Sequence, residues 1–299
     1  MQAIDEARRS TVSRRELSRH PDFDQVSPDV GDLDEVSFDE LMASDPDETL
    51  ALLADMTRAT DARLRELARR LAGRLVLDVA RRGPARPRGV GRIDTATYQP
   101  DAGDLDFDAS SEAIVEARAA QSGVDPERLR VRRWVQPRTA VCLLVDRSGS
   151  MTGRPLATSA VAAAAVAFRA PDDFSVVSFA KDAVVVKSQD VPAPMETVVD
   201  GVLALRGHGT TDLAGALQAA AQQLARSTAA RKITVLLSDC RATEPGDVVV
   251  VASALDELAI VAPEGDADAA EELAGAVGAT VTTVTGPTGA AAALTRVLA

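Results

Sequence analysis

From Arg138 to the C-terminus, short apolar runs alternate with helical stretches, and this alternation restricts the fold more than any other feature of the chain. The spacing predicts strands over 140–146, 173–179, 183–187, 232–239, 257–262 and 280–285. Between them it predicts helices over 154–168, 194–205, 212–226, 248–255, 267–277 and 288–298. Strands that are apolar on both faces, each followed by a helix, imply a mostly parallel sheet covered on both sides. The run 183–187 follows its neighbour too closely for a crossover, so it must form an antiparallel hairpin at an edge. The expected fold class is therefore α/β: a doubly wound, mostly parallel six-stranded sheet with helices on both faces. In such sheets, ligands bind at the carboxyl ends of the strands.

That edge carries a distinctive group of oxygen donors. The run VCLLVDRSGSM places Asp146 at the end of the first strand, with Ser148 and Ser150 at alternating positions of the turn that follows. Thr211 lies in a glycine-rich loop immediately before Asp212, which opens a helix, and Asp239 ends another apolar run. A set of hydroxyls with few carboxylates is hard in character and suits Mg²⁺ or Mn²⁺ that keeps several waters.

Asp146-x-Ser148-x-Ser150, followed by Thr211 and Asp239, resembles the metal-ion-dependent adhesion site of von Willebrand factor A (VWA) domains, and the resemblance covers residues 138–299. It implies that Ser148, Ser150 and Thr211 bind the metal directly, that Asp146 and Asp239 act through water, and that a partner's acidic side chain completes the shell. Thr211 is preferred to Thr210 because the family's threonine stands just before the Asp or Asn opening the helix. Arg147 and His208 are expected at the rim. A charge-segregated helical N-terminal region and the segment Gly91–Asp94 make the chain similar to bacterial CoxE-like proteins, which work with AAA+ ATPases of the MoxR type. The D subunits of magnesium chelatase are the alternative.

The upstream sequence reads differently. Between Asp22 and Glu48 there are eleven acidic residues and no Lys or Arg, so residues 1–45 are expected to be an acidic, flexible tail whose apolar residues could dock as short pieces. Asp45-Pro46-Asp47-Glu48 signals a helix start. Leucines from Leu50 to Leu75 then predict one amphipathic helix, or two joined near 57–60. Its arginine-rich face suits solvent, the acidic tail or RNA. Residues 46–137 are expected to form a helical region and a lead-in, with a helix near 111–121 and a strand over 129–135, before a VWA domain at 138–299.

The remaining features bound the function. A net charge of −12 argues against nucleic acid as a partner. The charged start of the chain does not resemble a secretory leader, and no apolar stretch is long enough to span a membrane, so a cytoplasmic protein is expected. Cys142 and Cys240 sit in apolar runs and are expected to be buried free thiols. No phosphate-binding loop, dinucleotide fingerprint or nucleophile elbow occurs. A Ser148–His208–Asp239 triad is conceivable, but a metal site explains the same residues better. The expectation is a non-catalytic adaptor.

Overall fold

The computed structural model describes residues 11–81, 92–99, 103–135, 138–149, 152–207 and 209–298. They divide into two compact units: Pro87–Arg138 alone, and Met1–Arg86 together with Thr139–Ala299.

The larger unit is built on a six-stranded sheet. Its strands are β4 (Thr139–Asp146), β5 (Phe174–Phe179), β6 (Ala183–Lys187), β7 (Arg231–Leu237), β8 (Glu257–Pro263) and β9 (Thr280–Val284), in the order β6-β5-β4-β7-β8-β9. All neighbours are parallel except β5 and β6, which form the edge hairpin that the short connection requires. β4 lies centrally, and its residues Ala140–Val145 are buried, as an apolar run without alternation demands. One face carries α9 (Leu213–Leu224), α10 (Val248–Ser253) and α11 (Asp268–Val277), packed on Cys142, Leu144 and Ile260. The other carries α7 (Gly153–Arg169), α8 (Met195–Leu203) and α12 (Pro287–Val297), packed on Val141, Leu143 and Val145.

On this second face the N-terminal segment forms a further layer. Its helices are α1 (Arg14–Leu17), α2 (Phe23–Val26), α3 (Glu35–Ser44), α4 (Pro46–Met56) and α5 (Ala62–Arg81). α4 and α5 pack on α7, and their leucines join the same core as the sheet. Every residue of α7 from Leu156 to Ala167 is consequently buried. The small side chains Ala160 and Ala162–Ala165 allow this helix to be covered by helices as well as by the sheet.

This arrangement corrects the expected tail. Phe23, Val26 and Phe38 are fully buried, while Val30 and Val36 remain exposed. The acidic residues find uses that composition alone does not reveal. Asp34 caps α3, Asp45 caps α4 through the Glu48 N–H at 3.1 Å, and Glu35 pairs with Arg74 on the arginine-rich face at 2.9 Å. Thus residues 11–45 are part of the fold, and residues 46–81 belong with the sheet rather than with a separate region.

The smaller unit is likewise more than a lead-in. β1 (Arg92–Thr97), β2 (Asp104–Leu105) and β3 (Arg130–Val135) form an antiparallel sheet in the order β1-β3-β2, and α6 (Phe107–Ala119) accompanies it. Asp106 caps α6 through the Ala109 N–H and pairs with Arg132 at 2.9 Å. Among the described residues, no helix is long and apolar enough to cross a membrane.

Candidate metal centre

Asp146 is the last residue of β4, aligned with Phe179 on β5, and Val145 is aligned with Leu237 on β7. Both of its carboxylate oxygens are engaged. Oδ1 accepts the Ser148 N–H at 2.8 Å, which turns the chain away from the strand, and Oδ2 accepts the Ser238 hydroxyl at 2.5 Å. Ser238 itself accepts the Cys240 N–H at 2.9 Å. The carboxylate is thus oriented from both sides. Sequence reading passed over Ser238. Its only local signal is a hydroxyl between Leu237 and Asp239.

The Ser238 turn also changes the expected strand end. β7 stops at Leu237, and Asp239 follows in a loop where Cys240 takes a left-handed φ of 63°. The Asp239 Oδ1 accepts the Arg241 N–H at 3.0 Å, and the residue is half-buried. Asp239 therefore projects from a tight turn beyond the strand rather than from its last pleat. Cys240 is buried, and burial pushes its thiol up to about 12. Cys142, in the core, is raised to about 12 for the same reason. Without a metal, both remain thiols near neutral pH.

The third segment is tied by hydrogen bonds to the end of β5 and to the loop after β7. Asp212 donates its N–H to the Ala180 carbonyl, just past β5, at 2.8 Å, and its side chain caps α9 through the Gly215 N–H at 2.8 Å. The Thr211 carbonyl accepts the N–H groups of Thr243 and Glu244, both at 3.1 Å, and its own N–H donates to the Thr243 hydroxyl at 2.7 Å. Thr211 is only 4% exposed, yet among the described residues its hydroxyl makes no hydrogen bond. The Thr210 hydroxyl, by contrast, donates to the Glu244 carboxylate. Asp146, Ser148, Thr211 and Asp239 thus share one sheet edge. Ser150 and His208 lie outside the described residues.

Arg147 departs from its expected place at the rim. It is 5% exposed, its N–H donates to the Phe179 carbonyl at 2.8 Å, and Nη2 donates to the Asp182 carbonyl at 3.3 Å. Burial pulls its pKa down, while Asp182 and Asp146 act in the opposite sense. The alternation that directs Asp146 to the edge turns Arg147 beneath the β5–β6 connection.

The donor chemistry admits a hard divalent cation. Among the described residues, no three His, Cys, Asp or Glu side chains gather to hold a metal, so a soft zinc-like cage is not formed there. What the edge offers is hydroxyls with an oriented carboxylate and a second carboxylate nearby, a set suited to Mg²⁺ or Mn²⁺.

A family model for the von Willebrand factor type A domain matches residues 141–243, from within β4 to the loop after β7. Among solved structures, a von Willebrand factor type A protein from Catenulispora acidiphila is 20% identical, with a TM-score of 0.45 over 56% of this chain and 43% of that one. The corresponding domain of the type V pili tip protein Mfa5 from Porphyromonas gingivalis is 23% identical, with a TM-score of 0.31 over 36% of this chain and 40% of that one. Manganese-loaded TRAP protein from Plasmodium vivax is 15% identical, with a TM-score of 0.43 over 55% of this chain and 74% of that one. The chain therefore spans less than half the length of the first two. No curated protein matches it.

Proposed function

We propose that the von Willebrand factor type A domain of this chain is a metal-dependent protein-binding module and that the chain acts as a non-catalytic cytoplasmic adaptor. The observation that carries this reading is the convergence of Asp146, Ser148, Thr211 and Asp239 on one sheet edge, with Asp146 pre-oriented by Ser148 and Ser238. Ser148, Ser150 and Thr211 hold Mg²⁺ or Mn²⁺ through their hydroxyls, and Asp146 and Asp239 hold it through water. When bound, the cation supplies an electrophilic position open to a carboxylate oxygen.

Electrostatics indicate the kind of partner. Two carboxylates and one divalent cation leave the centre near neutral, so a further acidic side chain can still approach at short range. The whole chain carries −12, which repels an acidic partner at long range. An AAA+ ATPase of the MoxR type, or its client, is the proposed source of that side chain, in keeping with the N-terminal helical region and the CoxE-like resemblance.

Calorimetric titration with Mg²⁺ and Mn²⁺ tests the centre. Wild type is expected to bind one cation, and a Ser148→Ala, Ser150→Ala double variant to lose it. Equal heats for the two proteins would overturn the metal reading. Capture of partners from native lysate, with Mg²⁺ or EDTA at two salt concentrations, tests the mode of contact. Binding is expected to vanish in EDTA and to strengthen as salt screens the long-range repulsion.

A further inference from the structure

The metal loop ends at Gly153, the first residue of α7, and the start of this helix is not capped from within. Thr152 stands at the cap position and makes no side-chain capping bond. The Gly153 N–H instead donates to Asp55 Oδ1 at 2.8 Å, from the last turn of α4, 98 residues away in sequence. The next residue, Arg154, pairs with Glu48 of the same helix at 2.6 Å, and Glu48 lies 3.5 Å from His20. At the other end of α4, Asp47 Oδ1 accepts the Thr288 N–H at 2.8 Å, near the start of α12. Close approach is possible there because Gly286 has no Cβ. A Cβ at that position would stand 2.5 Å from Asp47 Oδ2.

α7 and α12 each follow a parallel strand, β4 and β9, so both begin at the carboxyl edge that carries the candidate metal centre. α4 therefore supplies carboxylates to two helix N-termini at that edge. Orphan N–H groups and the positive end of the helix dipole favour a carboxylate at each. Only the Asp55 contact falls on the loop that carries Ser148 and Ser150.

We propose that Asp55 is a positioning residue of the metal centre, so that α4 couples cation binding to the state of the N-terminal layer. This rests on the metal reading above. Asp55 holds the exit of the metal loop, as Ser148 and Ser238 hold the Asp146 carboxylate at its entrance. The loop is then closed at both ends before a cation arrives, and less ordering remains to oppose binding. Linkage makes the effect reciprocal: a cation in the loop tightens α4 on α7 by the factor by which α4 tightens the cation.

The test is a Mn²⁺ titration of the full chain and its variants by calorimetry, beside thermal melts in EDTA. Loss of an outer-shell support commonly costs tenfold or more in metal affinity, so Asp55→Ala is expected to weaken Mn²⁺ about tenfold, while Asp55→Asn, which keeps an oxygen acceptor, stays within about threefold. Asp47→Ala removes a like cap from α12. It is expected to lower the melting temperature while leaving the Mn²⁺ affinity unchanged. An unchanged affinity in Asp55→Ala, or an equal loss in Asp47→Ala, would overturn the proposal while the metal reading stands. A wild type that takes up no Mn²⁺ would overturn both. Should Asp55→Ala fail to fold, hydrogen exchange of the wild type decides. Mn²⁺ is expected to slow exchange at residues 51–57 as well as in the metal loop, and not in α11. No slowing in α4 would count against the coupling.

Discussion

At the residue scale, the site depends on how one carboxylate is held. Asp146 ends an apolar strand, and an aspartate there could take several rotamers. The Ser148 N–H at 2.8 Å and the Ser238 hydroxyl at 2.5 Å select one. Ser238 also accepts the Cys240 N–H, so a single hydroxyl fixes both the carboxylate and the left-handed turn after β7. Ser238→Ala removes a hydrogen bond to a charged group and leaves a buried N–H without its acceptor. A loss of about 2–3 kcal/mol is expected from urea unfolding in EDTA. Ser238→Thr, which keeps the hydroxyl, should recover most of it.

At the scale of elements, α7 is the piece on which the rest converges. It begins where the loop that carries Ser148 ends, packs on the sheet through Leu156 and its neighbours, and is covered by α4, α5, α8 and α12. Gly153 makes its start possible, with a φ of 53° that a side chain rarely adopts. Space is not the obstacle, since an added Cβ would lie 3.6 Å from Asp55 Oδ2, an ordinary contact. Gly153→Ala is therefore expected to cost about 1–2 kcal/mol through backbone strain alone. The variant should melt lower in EDTA without forming an exposed apolar patch, which dye binding can verify.

At the scale of the larger unit, the N-terminal layer completes the core. The α4 and α5 residues Leu50, Leu53, Leu64, Ala68, Leu71 and Leu75 are buried in the same cluster as Val141, Leu143 and Leu156. A fragment beginning at Thr139 would expose the outer side of α7, an alanine-rich surface without charge from Leu156 to Phe168. Exposed apolar surface of that extent promotes association. Fragment 139–299 is expected to lack a cooperative thermal transition and to bind a hydrophobic dye. The full chain should do neither. A sharp melt for the fragment would show that the layer is dispensable for folding.

Much of the sheet and its edge was legible in the sequence because the signals are local. Apolar runs without alternation marked the central strands, the short connection before Ala183 required the edge hairpin, and Asp45-Pro46 and Asp212 announced their helices through nearby N–H groups. The placing of Asp146, Ser148 and Asp239 at one edge follows from strand order, whereas Thr211, in a connection between two helices, is held there by hydrogen bonds to the Thr243 loop and, through Asp212, to Ala180. Acidic composition, however, described residues 11–45 as a tail, because composition cannot show that Phe23, Val26 and Phe38 have a surface to bury against. Arg147 looked like a rim residue because nothing adjacent in the chain reveals the β5–β6 connection that covers it. The Ser238–Asp146 bond spans 92 residues and the Asp55–Gly153 bond 98, so no periodicity records either. Local patterns determined the strands and the caps and named the candidate oxygen donors. The tertiary structure decided which groups orient those donors, because hydrogen bonds between distant segments exist only once packing has brought the segments together.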